Sequence, residues 1–143
     1  MVSQKHMVSF FPVNPRGEVL LQQRDHAPGI AYPGHWTIFG GAVEPGESLD
    51  EAVKRELWEE LELDIPLRHW HTYTCPVRSI PGELDVVVHV YVGETDREVE
   101  SLTLREGQAM GYFDRTGAAA LNVGFAKAPI IAKFFDDLEA GRI

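Results

Sequence analysis

A chain of 143 residues with 44% hydrophobic residues is long enough to bury a core and too apolar to be intrinsically disordered. Its 22 acidic residues outnumber 13 basic ones, and the formal net charge of -9 with no basic run argues against long RNA or DNA as a partner. No membrane-length apolar run and no signal-peptide pattern occur, and Cys75 is the only cysteine, so we expect one domain, residues 1–143, in the reducing cytoplasm.

The first elements indicate a β-hairpin. Residues 8–13 and 18–24 have strand character and flank the segment NPRG at 14–17, whose residues are typical of a tight turn. A loop rich in proline and glycine follows and leads into a short predicted strand at residues 37–39.

The next segment predicts a helix with three carboxylates on one side. Glu56 and Glu60 are four residues apart and Glu56 and Glu59 three apart, so all three project the same way from an α-helix. Like charges at this spacing repel unless a positive group lies between them, and a divalent cation is an obvious candidate. Oxygen ligands suit a hard ion such as Mg²⁺, which commonly keeps several waters and is completed by substrate phosphates. The pattern therefore favours phosphoryl chemistry, although an ordinary solvated helix with local ion pairs is the structural alternative.

The start of this helix is also predicted. Ser48 followed three residues later by Glu51 is a capping box, and the segment EPGE at 44–47 is typical of a turn. An apolar stripe of Val53, Leu57 and Leu61 adjoins the acidic patch, which suits a helix packed on a sheet with its carboxylates at the rim.

Three further elements complete an α/β order. Residues 69–78 and 85–92 indicate a second hairpin about residues 80–83, residues 108–113 a last strand, and residues 129–138 a closing helix with Gly141 just beyond it.

The segment GAVEPGESLDEAVKRELWEELEL resembles the signature of the Nudix hydrolases. The matching positions are Gly41, Glu47, Arg55, Glu56, Leu57, Glu59, Glu60 and Leu63, while Glu62 stands where the family has a glycine. The resemblance implies the Nudix fold, in which a mixed β-sheet is sandwiched between α-helices. It also implies metal binding by Glu56, Glu59, Glu60 and the Gly40 carbonyl, with Mg²⁺ as cofactor and Mn²⁺ as a substitute. Glu56 would be a ligand or the base acting on the attacking water, and Arg55 and Glu47 a supporting ion pair.

Outside the signature, the chain is most similar to the MutT-type branch. Glu106-Gly107-Gln108 and the segment APIIAK at 128–133 carry this similarity, which implies that Glu106 is a fourth acidic ligand. Glu94, Glu98 and Glu100 are alternatives for that ligand, and a solvated loop carboxylate is the structural alternative for Glu106. Lys127 occupies the place of an asparagine that reads the base in that branch, but lysine donates hydrogen bonds and cannot accept them. We also consider six residues as substrate contacts, beside core or surface roles for each: Arg24, Trp36, Phe39, Arg78, His89 and Lys127.

These features predict Mg²⁺-dependent hydrolysis of a phosphoanhydride in a nucleoside diphosphate linked to another group, as in MutT-like pyrophosphohydrolases. Gly34-His35-Trp36 resembles Nudix enzymes that act on nucleotide sugars, so a nucleotide-sugar or ADP-ribose substrate is an alternative. A non-catalytic nucleotide-sensing module and an isoprenoid diphosphate isomerase are alternatives of other classes, although Cys75 lies in the wrong segment for the isomerase. The expected partner is a small nucleotide derivative, not long nucleic acid or a membrane, and the resemblance is compatible with a homodimer.

Overall fold

The computed structural model describes residues 4–75, 85–105, 107–125 and 127–143. Within these ranges the elements follow an α/β order with seven strands and three α-helices. They are β1 (Lys5–Val13), β2 (Val19–Gln23), β3 (Trp36–Thr37), β4 (Phe39–Ala42), α1 (Leu49–Leu61), β5 (Arg68–Cys75), β6 (Val86–Glu94), β7 (Ala109–Phe113), α2 (Arg115–Ala119) and α3 (Ala128–Glu139), with one 3₁₀ turn at Val99–Ser101.

The strands form one mixed sheet. The main path runs β3-β2-β1-β6-β5, while β4 pairs with β1 and β7 pairs with β2. Strand β1 lies parallel to β6 along its whole length and antiparallel to β4 over Met7 to Phe10. Because β4 pairs directly with β1, Gly40 and Gly41, which precede the acidic helix α1, lie within the sheet.

Helices cover both faces of this sheet, as predicted. On one face, the stripe of Val53, Leu57 and Leu61 from α1 packs into a core that includes Val8 and Phe10. On the other face, α3 packs against a second core, with Ile131, Phe134 and Phe135 beside Phe11, Val88 and Val90. Burying each large apolar side chain contributes about 1.5–3 kcal/mol, so the two cores fix both helices to the sheet.

Helix α1 begins as the sequence predicts and ends in an unexpected way. The Ser48 side chain accepts a hydrogen bond from the Glu51 backbone N–H, and the Glu51 side chain accepts one from the Ser48 backbone N–H, which completes the capping box. At the other end, Glu62 caps the helix in the left-handed conformation at φ 50° and ψ 39°, which glycine adopts more readily.

Several predicted boundaries differ from those observed. The single short strand expected at 37–39 is two strands, β3 and β4, and the short helix α2 after β7 was not predicted. Asp114 caps α2 by accepting a hydrogen bond from the Gly117 N–H. The turn expected at residues 80–83 lies outside the described residues.

No helix in the described ranges is both long enough and apolar enough to cross a membrane.

Candidate active site

Arg55 joins the turn before α1 to the acidic face of the helix. Its Nε lies 2.6 Å from Glu47 Oε2 and its Nη2 lies 2.9 Å from Glu47 Oε1, a bidentate ion pair. The Arg55 Nη1 donates to Glu56 at 2.9 Å and to Glu59 at 3.1 Å, and Nη2 also donates to the Ala42 carbonyl at 3.1 Å. The predicted Arg55–Glu47 pair is therefore present, and the same guanidinium supplies a positive charge between two of the three glutamates.

The environment keeps Glu47 ionised. The hydrogen bonds from Arg55 and then from the Glu44 backbone N–H lower the pKa of Glu47 to about 2. Hydrogen bonding to Glu47 correspondingly raises the pKa of Arg55. Both side chains are therefore charged at neutral pH, and their ion pair holds the 44–47 turn against the helix.

Gly40 and Gly41 allow close packing where β4 meets α1. A Cβ at Gly41 would collide with the carboxylate of Glu56, so the absence of a side chain leaves the space that Glu56 fills. A Cβ at Gly40 would collide with the Val8 carbonyl oxygen and with Ser9 of the neighbouring strand. The two glycines consequently bring the β4 backbone close to Glu56 and to β1.

The three helix glutamates have different exposures. The Glu59 side chain is 55% exposed and that of Glu56 is 13% exposed, while Glu60 as a whole residue is 2% exposed. Among the residues that the structure describes, no three His, Cys, Asp or Glu side chains converge as a ready-made metal cluster. Arg55, which lies against Glu56 and Glu59, occupies the position where the sequence suggested a cation.

The donor chemistry nevertheless fits a hard cation. Glu56 lies beside the β4 glycines, in the space that the absent side chain of Gly41 leaves and that we call the Gly41 cradle. The family resemblance assigns the Gly40 carbonyl and Glu59 and Glu60 as additional oxygen ligands. Mg²⁺ needs only one or two carboxylates from a protein because it keeps waters and binds substrate phosphates. These residues therefore suit Mg²⁺ better than a thiolate-bound zinc.

A second polar group lies on the α3 side of the sheet. The Lys127 ammonium donates to the Tyr73 hydroxyl at 2.6 Å, and its nitrogen lies 5.0 Å from the centre of the Tyr73 ring. Burial lowers the pKa of Lys127 and raises that of Tyr73. In the described part of the chain, no carboxylate lies within 4.0 Å of the Lys127 ammonium, so this half-buried cation has hydrogen-bond donors to offer.

Arg24 and Trp36 both contact the segment 122–125, which precedes Lys127. The Arg24 Nε donates to the Ala31 carbonyl at 2.8 Å, and its guanidinium lies over the Phe125 ring at 4.9 Å. Trp36 packs edge-on against Phe113 and belongs to the α3-side core. Both are anchored locally, and neither is placed against Lys127 by a direct hydrogen bond.

Phe39 and His89 both lie on the α1 side of the sheet. Phe39 is 0% exposed and its ring stacks on Phe10, so its side chain is part of the α1-side core, and a substrate contact by Phe39 stays a prediction. His89 does lie opposite in phase to Val88 and Val90, but this puts it on the α1 side, away from Lys127. There it lines a 610 Å³ cavity together with His6 and the 42–49 segment.

Arg78 and Glu106, two other predicted site residues, lie outside the described residues.

Sequence reasoning missed several residues that the fold brings into this region. Tyr73 is 54 positions from Lys127 and Phe125 is 101 positions from Arg24, so no local pattern links either pair. His6 could have been suspected only from the alternation of β1, and its partner His89 is 83 positions away.

Comparisons with known proteins agree with this geometry. The NUDIX domain family matches residues 4–134. Nudix hydrolase 19, chloroplastic, of Arabidopsis thaliana is 34% identical over 79 residues, which are 53% of this chain and 18% of that protein. Nucleoside triphosphatase NudI of Escherichia coli strain K12 is 60% identical over 30 residues, which are 21% of each chain. The chain thus spans only about a fifth of the length of these curated relatives.

A solved structure shares the fold along almost the whole chain. The MutT protein of Methanosarcina mazei Go1 superposes with a TM-score of 0.75 at 21% identity, covering 99% of this chain and 96% of that one. The family match covers most of the residues, and the glycine pair, the ion-paired turn and the acidic helix stand in the order of the signature. The chain belongs to the Nudix family.

Proposed function

We propose that this protein, as a single Nudix domain of residues 1–143, hydrolyses a phosphoanhydride bond in a nucleoside diphosphate linked to another group. MutT-like (d)NTP or modified-nucleotide pyrophosphohydrolysis is the version that we favour. The observation that carries the proposal is the set of hydrogen bonds from Arg55 to Glu47 and Glu56, which fixes the 44–47 turn and orients Glu56 beside the β4 glycines. The likeness to NudI, whose name describes a nucleoside triphosphatase, supports the same class of substrate.

Glu56 is the residue that we assign as general base. The hydrogen bond from Arg55 Nη1 fixes one of its oxygens, and the Gly41 cradle prevents the carboxylate from being displaced by a neighbouring side chain. A carboxylate so oriented can accept the proton of a water that attacks phosphorus, while the bond from phosphorus to the bridging oxygen breaks.

Mg²⁺, with Mn²⁺ as a substitute, is the cofactor in this proposal. The Gly40 carbonyl and Glu56, Glu59 and Glu60 would hold it, with Glu106 as a further proposed ligand. When bound, Mg²⁺ would neutralise phosphate oxygens and lower the pKa of a coordinated water. Because the chain carries a net charge of -9, a cation is also the simplest means of holding an anionic substrate against this acidic surface.

A substitution at Glu60 tests the site. Glu60→Gln keeps the shape of this 2% exposed side chain but removes its charge, so we expect turnover to fall by about two orders of magnitude or more with little change in melting temperature. The assay is Mg²⁺-dependent product release from a panel of dNTPs, oxidised dNTPs, ADP-ribose, dinucleoside polyphosphates and nucleotide sugars. Asp64→Asn, which changes an exposed carboxylate just beyond α1, is the control.

Three outcomes of these assays would contradict the proposal, and a fourth would select another class of substrate. Full activity of Glu60→Gln would exclude the acidic helix as the site, and full activity in excess EDTA would exclude the metal. Nucleotide binding without turnover by the wild type would favour the sensing module instead. Release of products from ADP-ribose or a nucleotide sugar alone would select the alternative substrate class.

Lys127 and Tyr73 are proposed to select the base. The Lys127 ammonium retains N–H donors beyond the one directed at Tyr73, and the Tyr73 hydroxyl, which accepts that bond, can donate its own hydrogen onward. A group that only donates recognises carbonyl oxygens. We therefore expect bases that present a keto group at this edge to be preferred over adenine.

The base preference can be measured directly. Lys127→Met keeps the length of the side chain and removes the donors, so the ratio of kcat/KM for dUTP to that for dATP should fall about tenfold. Lys133→Met, which changes an exposed lysine on α3, the helix that Lys127 precedes, should leave the ratio unchanged. An unchanged ratio in Lys127→Met would remove Lys127 from the base site. Arg24, Trp36 and Arg78 stay proposed contacts for base or phosphate, and homodimer formation stays a prediction.

A further inference from the structure

The last turn of α1 is closed in a way that departs from the signature of the family. Glu62 occupies the position of the signature glycine and adopts φ 50°, a conformation that costs a residue with a Cβ more than glycine. Its backbone N–H donates to the Trp58 carbonyl at 2.8 Å, which closes the helix. A strained residue at this position persists only if other contacts stabilise it.

Arg105, from the loop before β7, supplies those contacts. Its backbone N–H donates to the Glu60 carbonyl at 3.0 Å, one of the carbonyls that a helix end leaves without an internal partner. Its guanidinium Nη2 lies 2.9 Å from Glu62 Oε2. Arg105 thus binds the end of α1 at two points, once through its backbone and once through its side chain.

The described residues before and after Arg105 are held in place by other elements. Leu102 is buried and Leu104 half-buried in the α1-side core, so the chain leading to Arg105 packs on the same helix. Beyond it, the Gln108 N–H donates to the Gln23 carbonyl at 2.9 Å, which attaches the loop to the end of β2. Since both flanks are fixed, a bond from Arg105 can restrain the helix end.

We propose that Glu62 and Arg105 are a positioning pair that orders the last turn of α1, where Glu59 and Glu60 lie. In this chain, the contacts of Arg105 with the end of α1 replace the signature glycine that ends the helix in the family. The inference rests on the proposed function, because it assigns Glu59 and Glu60 to metal binding. The exposed fractions of the two side chains, 56% for Arg105 and 36% for Glu62, predict a moderate effect.

Mn²⁺ binding without nucleotide tests the pair, measured from the EPR signal of free Mn²⁺ during titration of the whole protein. If Arg105 acted only through its charge, Arg105→Gln would tighten cation binding, because a nearby positive charge would be lost. Positioning predicts the opposite sign. We expect Arg105→Gln and Glu62→Gln each to weaken Mn²⁺ binding by about two- to fivefold.

The charge-swapped double variant Glu62→Arg/Arg105→Glu restores the ion pair without changing the net charge, so it should recover most of the affinity. Arg115→Gln is the matched control, because Arg115 forms a similarly exposed ion pair with Asp136 at 2.7 Å between α2 and α3. It should bind Mn²⁺ like the wild type. Circular dichroism of each variant checks that the fold is retained.

The outcomes separate this inference from the proposed function. Unchanged or tighter binding by Arg105→Gln, or no recovery in the swapped variant, overturns the positioning pair. If the wild type binds Mn²⁺ and Glu60→Gln does not, the metal site stands whatever the result for Arg105. Absence of Mn²⁺ binding by the wild type overturns both.

Discussion

Arg55 is the residue on which the turn and the acidic helix converge. A single guanidinium contacts Glu47, Glu56, Glu59 and the Ala42 carbonyl, which lysine could not reproduce because it lacks the planar fork of donors. It resolves the repulsion between Glu56 and Glu59 that the helix spacing creates. The ion-pair interpretation of this helix is therefore observed for Glu56 and Glu59, since the cation that separates them in the folded chain is Arg55, while metal binding by the glutamates stays a prediction.

The two glycines of β4 should respond differently to alanine. In Gly41→Ala the added methyl displaces only the end of the flexible Glu56 side chain, so we expect a near-normal melting temperature and at least about a tenfold loss of kcat. In Gly40→Ala the methyl meets the Val8 carbonyl of β1, and overpacking against backbone should destabilise the fold by about 1–3 kcal/mol. Urea unfolding and steady-state kinetics on both variants measure the contrast. Equal effects on stability would contradict the assignment of Gly41 to the Glu56 cradle.

At the scale of elements, three neighbouring strands carry a connected row of histidines. His6 Nδ1 of β1 lies 3.0 Å from His89 Nε2 of β6, and His89 Nδ1 lies 3.1 Å from Thr72 Oγ1 of β5. Thr72 Oγ1 in turn lies 2.7 Å from His69 Nε2. A register shift between His69 and His71 puts His69 and Thr72 on the same face, which strict alternation along β5 would not allow.

This row should make stability depend on pH. Burial, and then the positive charges that His6 and His69 can carry, lower the pKa of His89, so the folded protein favours its neutral form. The unfolded chain binds the proton first as the pH falls through about 6.5, and the fold is therefore destabilised by acidification below that value. We expect His89→Gln to show a smaller fall in melting temperature than the wild type between pH 7.5 and 5.5.

His71→Gln, on the same strand β5, is the control and should retain the dependence of the wild type. If the melting temperatures of His89→Gln and the wild type fall equally between pH 7.5 and 5.5, the fold does not favour the neutral form of His89.

For the molecule as a whole, the sheet divides the proposed chemistry between its faces. Helix α1 and its glutamates lie on one face, where His6, His89 and the 42–49 segment line the 610 Å³ cavity. Lys127, Tyr73 and Trp36 lie on the α3 side. The end of β4 is the point at which the two sides meet, because Gly40 faces Ser9 while Gly41 faces Glu56. A nucleotide that placed its phosphates at α1 and its base near Lys127 would therefore extend across the end of β4.

The sequence by itself determined the features that depend on neighbours along the chain. The capping box, the apolar stripe of α1 and the common side of its glutamates follow from spacings of three and four residues, and the Arg55–Glu47 pair followed from the family signature. The presence of helices on both faces was implied by the family resemblance, and it buries the apolar sides of the strands and of the amphipathic helices.

Only the tertiary structure decided which distant residues meet. The Lys127–Tyr73 and His6–His89 contacts join segments that are 54 and 83 residues apart, and a bulge in β5 changes which side chains share a face. The same is true of Phe39, the first residue of β4, which packs in the α1-side core and stacks on Phe10. Strand pairing and register set these contacts, and a one-residue shift reverses the face of every side chain beyond it.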